Sequence, residues 1–214
     1  MPQGGSAQGR CCCGGFCALL VTAGLVVLFY WAIFQPHHIR ATVDSAVLSN
    51  LTVSNSNASS AAAAAVSYDL TVSLRLYNPS VRVNIYYDAI DAELRFRDAV
   101  VGPAANDTSP SVFYQRRKTS EVLKMEFDYW RPGGGGGVTV GSDVARELVK
   151  ETRSGGAVSL ELDVDVRVRY VFRMFKLRQK PRIRCSLSIP VKTDGRHRGF
   201  GGAVASGDRC SVKY

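Results

Sequence analysis

The chain has 214 residues, a length that suits one folded domain and an additional segment rather than several large domains. From about residue 40 onward it is long enough to bury a core without a structural metal. It carries 27 basic and 18 acidic residues, so the formal charge of +9 leaves nucleic acid, an anionic membrane and an acidic polymer open as partners.

The first predicted element is a membrane-spanning helix over Phe16–Phe34. This segment contains no charged side chain, and its length of roughly 28 Å is close to the ~30 Å hydrocarbon thickness of a bilayer. Phe29, Tyr30 and Trp31 lie near its end, where aromatic rings favour the interface, and Pro36 then stops the helix. The sequence therefore predicts a tail over 1–15, an anchor over 16–34 and a domain over 35–214.

Two other interpretations of this segment are weaker. A buried core helix is rarely apolar on every face over such a length. A cleaved signal peptide usually has an apolar region of ~7–15 residues that ends in small residues, whereas this one is longer and ends in bulky Tyr30, Trp31 and Phe34. We therefore expect an uncleaved signal-anchor, with a preceding tail that is too short to fold.

The charges that flank the predicted helix hardly orient it. Arg10 and the amino terminus lie on one side, and Arg40 with the mostly neutral His37 and His38 lies on the other. Glycosylation sequons indicate the orientation more clearly, because three of them follow the helix. Asn78 is not counted among them, since the proline after it blocks the acceptor geometry. The predicted acceptors are Asn50, Asn57 and Asn106. They favour a cytosolic N-terminus and an extracellular domain.

The six cysteines form two groups. Cys11, Cys12 and Cys13 precede Cys17 at the start of the anchor, and cysteines in this position on the cytosolic side are frequent palmitoylation sites. A zinc site is the alternative, but adjacent cysteines lack its ligand spacing and no histidine is near. The second group is Cys185 and Cys210 in the C-terminal region. These two cysteines form either a disulfide or two separate thiols.

Two other membrane attachments are not expected. Pro2 occupies the position at which myristoylation needs glycine, and the segment Ser211–Tyr214 is not the hydrophobic tail of a glycolipid-anchor signal.

Alternation of apolar and polar residues dominates the rest of the chain. Since side chains of a strand point to opposite faces in turn, such runs predict strands with one buried face. The runs lie at residues 66–76, 90–96, 123–129, 158–172 and 183–191. We expect two packed sheets, an all-β sandwich, with one short helix over residues 142–152 that Ser142 caps and a stripe of Val144, Leu148 and Val149 anchors. A loop or loose hairpin tip is expected at residues 55–65, and a flexible loop at residues 133–137.

Catalytic motifs are scarce in this sequence. The three histidines, His37, His38 and His197, belong to no metalloprotease motif, and no nucleophile elbow or P-loop is present. Asp163-Val164-Asp165 resembles the metal-binding pair of some glycosyltransferases, but both carboxylates fall on the polar side of a strand, and we interpret them as a solvated face. The sequence predicts a non-enzymatic protein without metal or cofactor.

Basic residues concentrate in two places. One series follows the longest predicted strand and the segment after it, and the other is a short cluster between two predicted strands. They comprise Arg167, Arg169, Arg173, Lys176, Arg178, Lys180, Arg182 and Arg184, and Arg116, Arg117 and Lys118. Such residues attract anionic headgroups or acidic wall polymers, but a solvated face that keeps the domain soluble is the favoured interpretation. Nucleic acid is not expected.

Several short motifs resemble those of one protein family. Leu76–Ser80 and Ile85–Asp88 resemble its Asn-Pro-Asn and Tyr-Tyr-Asp signatures, and Phe113–Gln115 resembles its Phe-Tyr-Gln motif. The cysteine-bearing tail, the apolar span, the segment 34–37 and the Cys185 and Cys210 ending are also similar. The chain thus resembles the plant NHL family, relatives of harpin-induced and non-race-specific disease-resistance proteins. The residues that carry the motifs are Asn78, Pro79, Tyr86, Tyr87, Tyr114 and Gln115.

This resemblance implies a late-embryogenesis-abundant group 2 domain, which is an immunoglobulin-like or fibronectin-like β-sandwich with a helix. It also implies a plant plasma-membrane protein that acts in pathogen or abiotic stress responses, and plasmodesmata are a further candidate location. Ser80 departs from the second Asn of the usual signature. We interpret Asn78-Pro79 as a strand end and turn with a structural role, because proline cannot donate to a central ladder.

Three functions follow as hypotheses. The first is binding of membrane or defence-signalling proteins. The second is binding of membrane lipids or membrane contact by the sandwich, which predicts an apolar groove between its sheets. The third is adhesion to acidic cell-wall polymers through the arginine-rich strands.

Overall fold

The computed structural model describes residues 11–34, 38–55, 63–104, 113–131, 137–154, 156–172, 175–193, 200–205 and 207–214. The chain divides into two compact units, Met1–His37 and His38–Tyr214. The elements are α1 (Cys11–Phe34), β1 (Arg40–Asn55), β2 (Ala63–Tyr77), β3 (Asn84–Phe96), β4 (Ala99–Pro103), β5 (Phe113–Gln115), β6 (Ser120–Asp128), β7 (Val138–Gly141), α2 (Ser142–Arg153), β8 (Ala157–Phe172), β9 (Phe175–Gln179), β10 (Arg182–Pro190), β11 (Lys192–Thr193), β12 (Phe200–Val204) and β13 (Ser211–Lys213).

Helix α1 has 24 residues and carries neither an acidic residue in its first turn nor a basic one in its last. The side chains described within it are exposed, and they include the free thiol of Cys17. Among the helices of the described residues, none has both the length and the hydropathy of a membrane span.

The unit His38–Tyr214 is built from two antiparallel sheets. In the described part of the chain, the first sheet runs in the order β11-β12-β1-β2-β6, with β7 paired to β2. The second runs β13-β10-β8-β3-β4, with β5 paired to β3 and β9 paired to β8. Inward side chains of both sheets form one core cluster, so the predicted all-β architecture of two packed sheets is confirmed.

Period-two alternation explains why the long strands pack as they do. Along β2 every second side chain from Ala64 to Leu76 is buried, and β8 and β10 show the same pattern. Full burial of each Leu, Val or Ile contributes about 1.5–3 kcal/mol. A one-residue slip would turn this whole apolar set to solvent, so the pattern fixes the register.

Strand β1 is a long strand that alternation does not predict. Its pairing with β2 shifts register between Val43 and Ser45 and again between Ser49 and Thr52. Each shift changes which side chains face the core, so a single period-two pattern does not run through the strand. Asn50 lies in the second irregularity with a φ of 54°, a conformation that asparagine tolerates better than most residues.

Helix α2 confirms the predicted helix, but its start differs from the expectation. Gly141 is the N-cap and no side chain caps the helix, so Ser142 is its first residue rather than its cap. Ala145, Leu148 and Thr152 are buried, whereas Val144 and Val149 are only half-buried. The buried face of α2 is therefore formed by Ala145, Leu148 and Thr152 rather than by the expected stripe of Val144, Leu148 and Val149.

The C-terminal segment is fastened to both sheets. A disulfide joins Cys185 of β10 to Cys210, with the Cα atoms 4.4 Å apart. The backbone N–H of Cys210 donates to the carbonyl of Ala41 at 2.9 Å, and the backbone N–H of Ile39 donates to the Tyr214 hydroxyl at 2.8 Å. The start of β1 and the chain's last residues thus hold each other in place.

Candidate functional site

The predicted motif residues divide between the two faces of β3 and β5. These strands pair so that Tyr86 lies opposite Tyr114 and Ile85 opposite Gln115. Tyr87 and Gln115 are buried, whereas Tyr86 and Tyr114 are 37% and 41% exposed. The motif therefore contributes one set of groups to the interior and another to the surface.

Gln115 links the two sheets from the inside. Its amide nitrogen donates to the carbonyls of Leu76 at 2.9 Å and Thr119 at 3.0 Å. Its amide oxygen accepts the hydroxyl of Tyr87 at 2.9 Å, and the Tyr87 ring stacks on Phe113 with centroids 4.2 Å apart. Burial raises the pKa of the Tyr87 hydroxyl, so this group is a neutral hydrogen-bond donor.

Asn78 organises the turn that follows β2. Its side-chain amide donates to the carbonyls of Val83 at 3.0 Å and Arg116 at 3.2 Å, and its oxygen accepts the backbone N–H of Ser80 at 3.0 Å. Asn78 is fully buried, so each of these bonds satisfies a group that would otherwise lack a partner. This geometry supports a structural role for the Asn78-Pro79 turn.

Ser80 completes the same turn. Its hydroxyl oxygen accepts the backbone N–H of Val83 at 3.1 Å and that of Arg82 at 3.4 Å. A serine hydroxyl thus holds this turn in the place of the second Asn of the usual signature. Asn78, Ser80, Tyr87 and Gln115 are together called the signature clamp below.

On the outer face, four side chains form a row across four strands. Tyr114 of β5 lies opposite Tyr86 of β3, which lies opposite Arg169 of β8, which lies opposite Arg178 of β9. The two tyrosine rings are 4.6 Å apart, and the Arg169 guanidinium lies over the Tyr86 ring at 5.8 Å. Arg169 is held there by Asp88, whose carboxylate accepts its Nε–H at 2.8 Å.

Further basic side chains extend the row on both sides. Arg167 and Lys180 are exposed next to it, and exposed Lys176 lies opposite Val171. Within the described residues, Arg167, Lys176, Arg178 and Lys180 have no acidic group within ion-pair distance. We call these residues the basic–aromatic patch: Tyr86, Tyr114, Arg167, Arg169, Lys176, Arg178 and Lys180.

The neighbouring part of the same face is neutralised by acids. Three guanidiniums converge on the Asp163 carboxylate, from Arg184 at 3.5 Å, Arg182 at 3.7 Å and Arg95 at 3.9 Å. Arg182 also donates two hydrogen bonds to Asp165 at 2.7 and 2.9 Å, which lower the pKa of that carboxyl. We call this group the ion-paired patch.

The ion-paired patch corrects one expectation from the sequence. Asp163 is not on a solvated face: only 8% of its side chain is exposed, because the long arginine side chains of adjacent strands cover it. Asp165 is exposed as expected. Over the described residues no group of His, Cys, Asp or Glu forms a candidate metal site, and both aspartates instead contact arginines.

The other predicted site residues are placed as follows. Asn50 lies in β1 and is half-buried, while Asn57 and Asn106 fall outside the described residues. The backbone of Cys11, Cys12 and Cys13 forms the first turn of α1, and their side chains are outside the description. Use of these residues for glycosylation or acylation therefore stays a prediction.

The space between the sheets beneath Tyr68 and Leu94 is small. It measures about 10 Å³ and is lined by apolar side chains that include Leu48, Phe96 and Leu160. A cavity needs roughly 10–15 Å³ for one water molecule, so this one is far too small for an acyl chain. The apolar groove that the lipid hypothesis predicts is not found at this position.

Comparison with known proteins identifies the family of this chain. The family model described as "Late embryogenesis abundant protein" (LEA_2) matches residues 73–188, which include β3, β8 and the whole signature clamp. The chain belongs to this family. The NHL resemblance is also confirmed by relatives from Arabidopsis thaliana that are named NDR1/HIN1-like proteins.

NDR1/HIN1-like protein 3 is 25% identical over 197 residues, which cover 92% of this chain and 77% of the relative. NDR1/HIN1-like protein 10 is 27% identical over 178 residues, with coverage of 82% and 71%. A crystal structure of a protein from Archaeoglobus fulgidus aligns at a TM-score of 0.28 and 9% identity, over 71% of this chain and 95% of that one.

Proposed function

We propose that this LEA_2 protein is a non-enzymatic protein of the plant plasma membrane, where it binds other proteins in defence and abiotic stress signalling. The observation that carries the proposal is similarity to NDR1/HIN1-like proteins over as much as 92% of the chain. The LEA_2 match over residues 73–188 supports the same stress and defence association.

The proposed anchor is α1, with the N-terminus in the cytosol and the β-sandwich outside the cell. Support comes from the uncharged sequence between Cys11 and Phe34 and from the sequons that follow it. The Cys185–Cys210 disulfide fits an oxidising compartment. We also infer an immunoglobulin-like or fibronectin-like sandwich from the family resemblance and the two-sheet core.

Partner binding is proposed for the exposed face of the sandwich. The polar groups of Asn78, Tyr87 and Gln115 are used for internal hydrogen bonds, whereas Tyr86 and Tyr114 are exposed. Aromatic and arginine side chains are the residues that protein interfaces favour most. Membrane-lipid contact is proposed for the anchor alone.

The topology is tested in plant cells that express the full chain with a short tag at either end. We expect protease added to sealed membrane vesicles, in the orientation that exposes the cell exterior, to digest the C-terminal tag and spare the N-terminal tag. Glycosidase treatment should reduce the apparent mass, and replacement of Asn50, Asn57 and Asn106 by Gln should abolish that reduction. A protected C-terminal tag would contradict the proposed orientation.

The interaction function is tested by proximity labelling from the outer domain, with and without a defence elicitor. We expect the labelled set to contain membrane proteins and to change upon elicitation. Unchanged pathogen and stress responses after deletion of the gene, in a plant without a redundant paralogue, would count against the proposal.

A second candidate function is adhesion to acidic wall polymers. It is favoured by the four cations of the basic–aromatic patch that have no acidic partner in the described part of the chain, whereas each arginine of the ion-paired patch has one.

A further inference from the structure

Charge is distributed unevenly over the outer face of the second sheet. In the ion-paired patch the arginines of β3 and β10 lie against carboxylates of β3 and β8 and are compensated by them: Arg95, Arg182 and Arg184 against Glu93, Asp163 and Asp165. In the basic–aromatic patch Arg169 is paired with Asp88, whereas the other four cations have no acidic group within ion-pair distance among the described residues. The surplus of positive charge on this face therefore lies at one end. A ligand with several anionic groups would compensate the cations there.

The patch also has the shape that an extended ligand needs. Adjacent strands are roughly 4.8 Å apart, so the row from Tyr114 to Arg178 extends about 14 Å. Along β8, Arg167 and Arg169 project from the same face roughly 6.6 Å apart. Beside them lies a surface depression of about 360 Å³ in which three cations outnumber two carboxylates. It is lined by Arg167, Lys180, Arg182, Asp91, Asp165, Val166 and Pro181.

We propose that the basic–aromatic patch binds an acidic polysaccharide of hexuronate units. Each such unit has a carboxylate, which a guanidinium can bind with two parallel hydrogen bonds, and a C–H-rich ring face, which packs on an exposed aromatic ring. Arg167, Arg178 and Lys180 bind the carboxylates, and Tyr86 with Tyr114 supports the sugar rings. Arg169 is a positioning residue, because Asp88 holds its guanidinium over the Tyr86 ring.

A carbohydrate explains the patch better than an anionic lipid headgroup does. The headgroups of phosphatidylserine and phosphatidylglycerol offer negative charge but no ring faces for the paired tyrosines. The inference rests on the proposed placement of the sandwich outside the cell, where acidic wall polymers occur. Binding is measured on the purified chain, so its failure and a failure of the topology test are separate results.

The experiment uses the full chain in a neutral detergent or a phosphatidylcholine nanodisc, titrated with polygalacturonate and followed by calorimetry. We expect binding that weakens with added salt, because the contacts are between exposed charges. Fully methyl-esterified polygalacturonate, which keeps the rings and loses the charges, should not bind. Absence of polygalacturonate binding at low salt would overturn the proposal.

A charge-reversal variant and a matched control locate the site. Arg167→Glu, Arg178→Glu and Lys180→Glu together should weaken binding by about tenfold or more, equivalent to about 1.4 kcal/mol. The control, Arg131→Glu, Arg153→Glu and Lys192→Glu, changes the net charge equally at exposed positions outside the patch. Circular dichroism and thermal unfolding establish that both variants fold. Equal weakening in the two variants would show a general charge effect and contradict the site.

The tyrosines test the carbohydrate part of the proposal. Tyr114→Ala should weaken binding of polygalacturonate but leave binding of polyglutamate, a polyanion without sugar rings, unchanged. Tyr114→Phe keeps the ring and should bind polygalacturonate as the natural chain does. If polyglutamate or phosphatidylserine-containing nanodiscs bind as tightly as polygalacturonate and equally in all three proteins, the ligand is not a polysaccharide and the proposal is wrong.

Discussion

The signature clamp and the basic–aromatic patch meet on β3 and β5, where their residues lie on opposite faces of the same strands. Tyr87 and Gln115 point inward and exhaust their hydrogen-bonding groups on the protein itself, whereas their neighbours Tyr86 and Tyr114 point outward and pack on each other. Strand alternation thus splits one sequence motif into a part that holds the sheets together and a part that is free to contact something else. Resemblance in such a motif therefore indicates the fold more directly than it indicates a ligand.

The largest loss of stability is expected from a substitution on the inward face, at Gln115. Gln115→Ala leaves the buried carbonyl of Leu76 and the hydroxyl of Tyr87 without this partner and opens a small cavity. We expect the free energy of unfolding to fall by about 3 kcal/mol, measured by urea denaturation. A loss below about 1 kcal/mol would mean that the clamp is not a main link between the sheets.

Asn78→Ala is expected to have the next largest effect. It removes two donors and one acceptor from a buried turn, but the backbone N–H of Asn78 still donates to the Thr119 carbonyl at 3.0 Å. We expect a loss of about 2 kcal/mol in the same assay. Asn78→Asp is the matched control: it keeps the acceptor for Ser80 and should recover only part of the stability.

Ser80→Ala should have a smaller effect, about 1 kcal/mol, because the hydroxyl accepts backbone N–H groups at a partly exposed turn. Thermal unfolding is sensitive enough to detect it. Ser80→Asn restores the usual signature residue, and stability equal to that of the natural chain would show that either side chain can hold the turn.

On the outward face, Tyr114→Ala should change stability by only about 0.5 kcal/mol, because the side chain is 41% exposed. The contrast with Gln115→Ala, its immediate neighbour, is the sharpest test of the division between the two faces. Urea denaturation of both variants side by side measures it, and similar losses would contradict that division.

The smallest effect concerns pH and the ion-paired patch. The hydrogen bonds from Arg182 lower the pKa of Asp165 below 3.8, so this carboxylate stabilises the fold above pH 3.8 and the contribution is lost as pH falls through its lower folded-state pKa. Asp165→Asn should therefore reduce stability at neutral pH by less than about 0.5 kcal/mol and leave it unchanged at the acid end. Denaturation curves at several pH values compare the two proteins.

Much of the fold could be predicted because β2, β8, β10 and α2 carry clear periodicities. Strand β1 could not, since its two irregularities break the period-two pattern. The burial of Asp163 could not be predicted, because it depends on arginines of β3 and β10. A single sequence does not show which residues of those strands lie next to Asp163 in β8. The row from Tyr114 to Arg178 could not be predicted either, because its members lie far apart in the chain. The register shift of β3 between Tyr87 and Ala89 makes their pairing still harder to infer.

The fastening of the C-terminal segment has a mechanical consequence. Any pull on the chain that precedes His38 first reaches Ile39, whose N–H donates to the Tyr214 hydroxyl, and then Ala41, which pairs with β2 and accepts the N–H of Cys210. The disulfide passes part of that load to β10 in the other sheet, so tension is shared by the whole sandwich rather than peeling β1 away from β2. Reduction of Cys185–Cys210 would lower the force at which the domain begins to open, even where it leaves the resting fold in place.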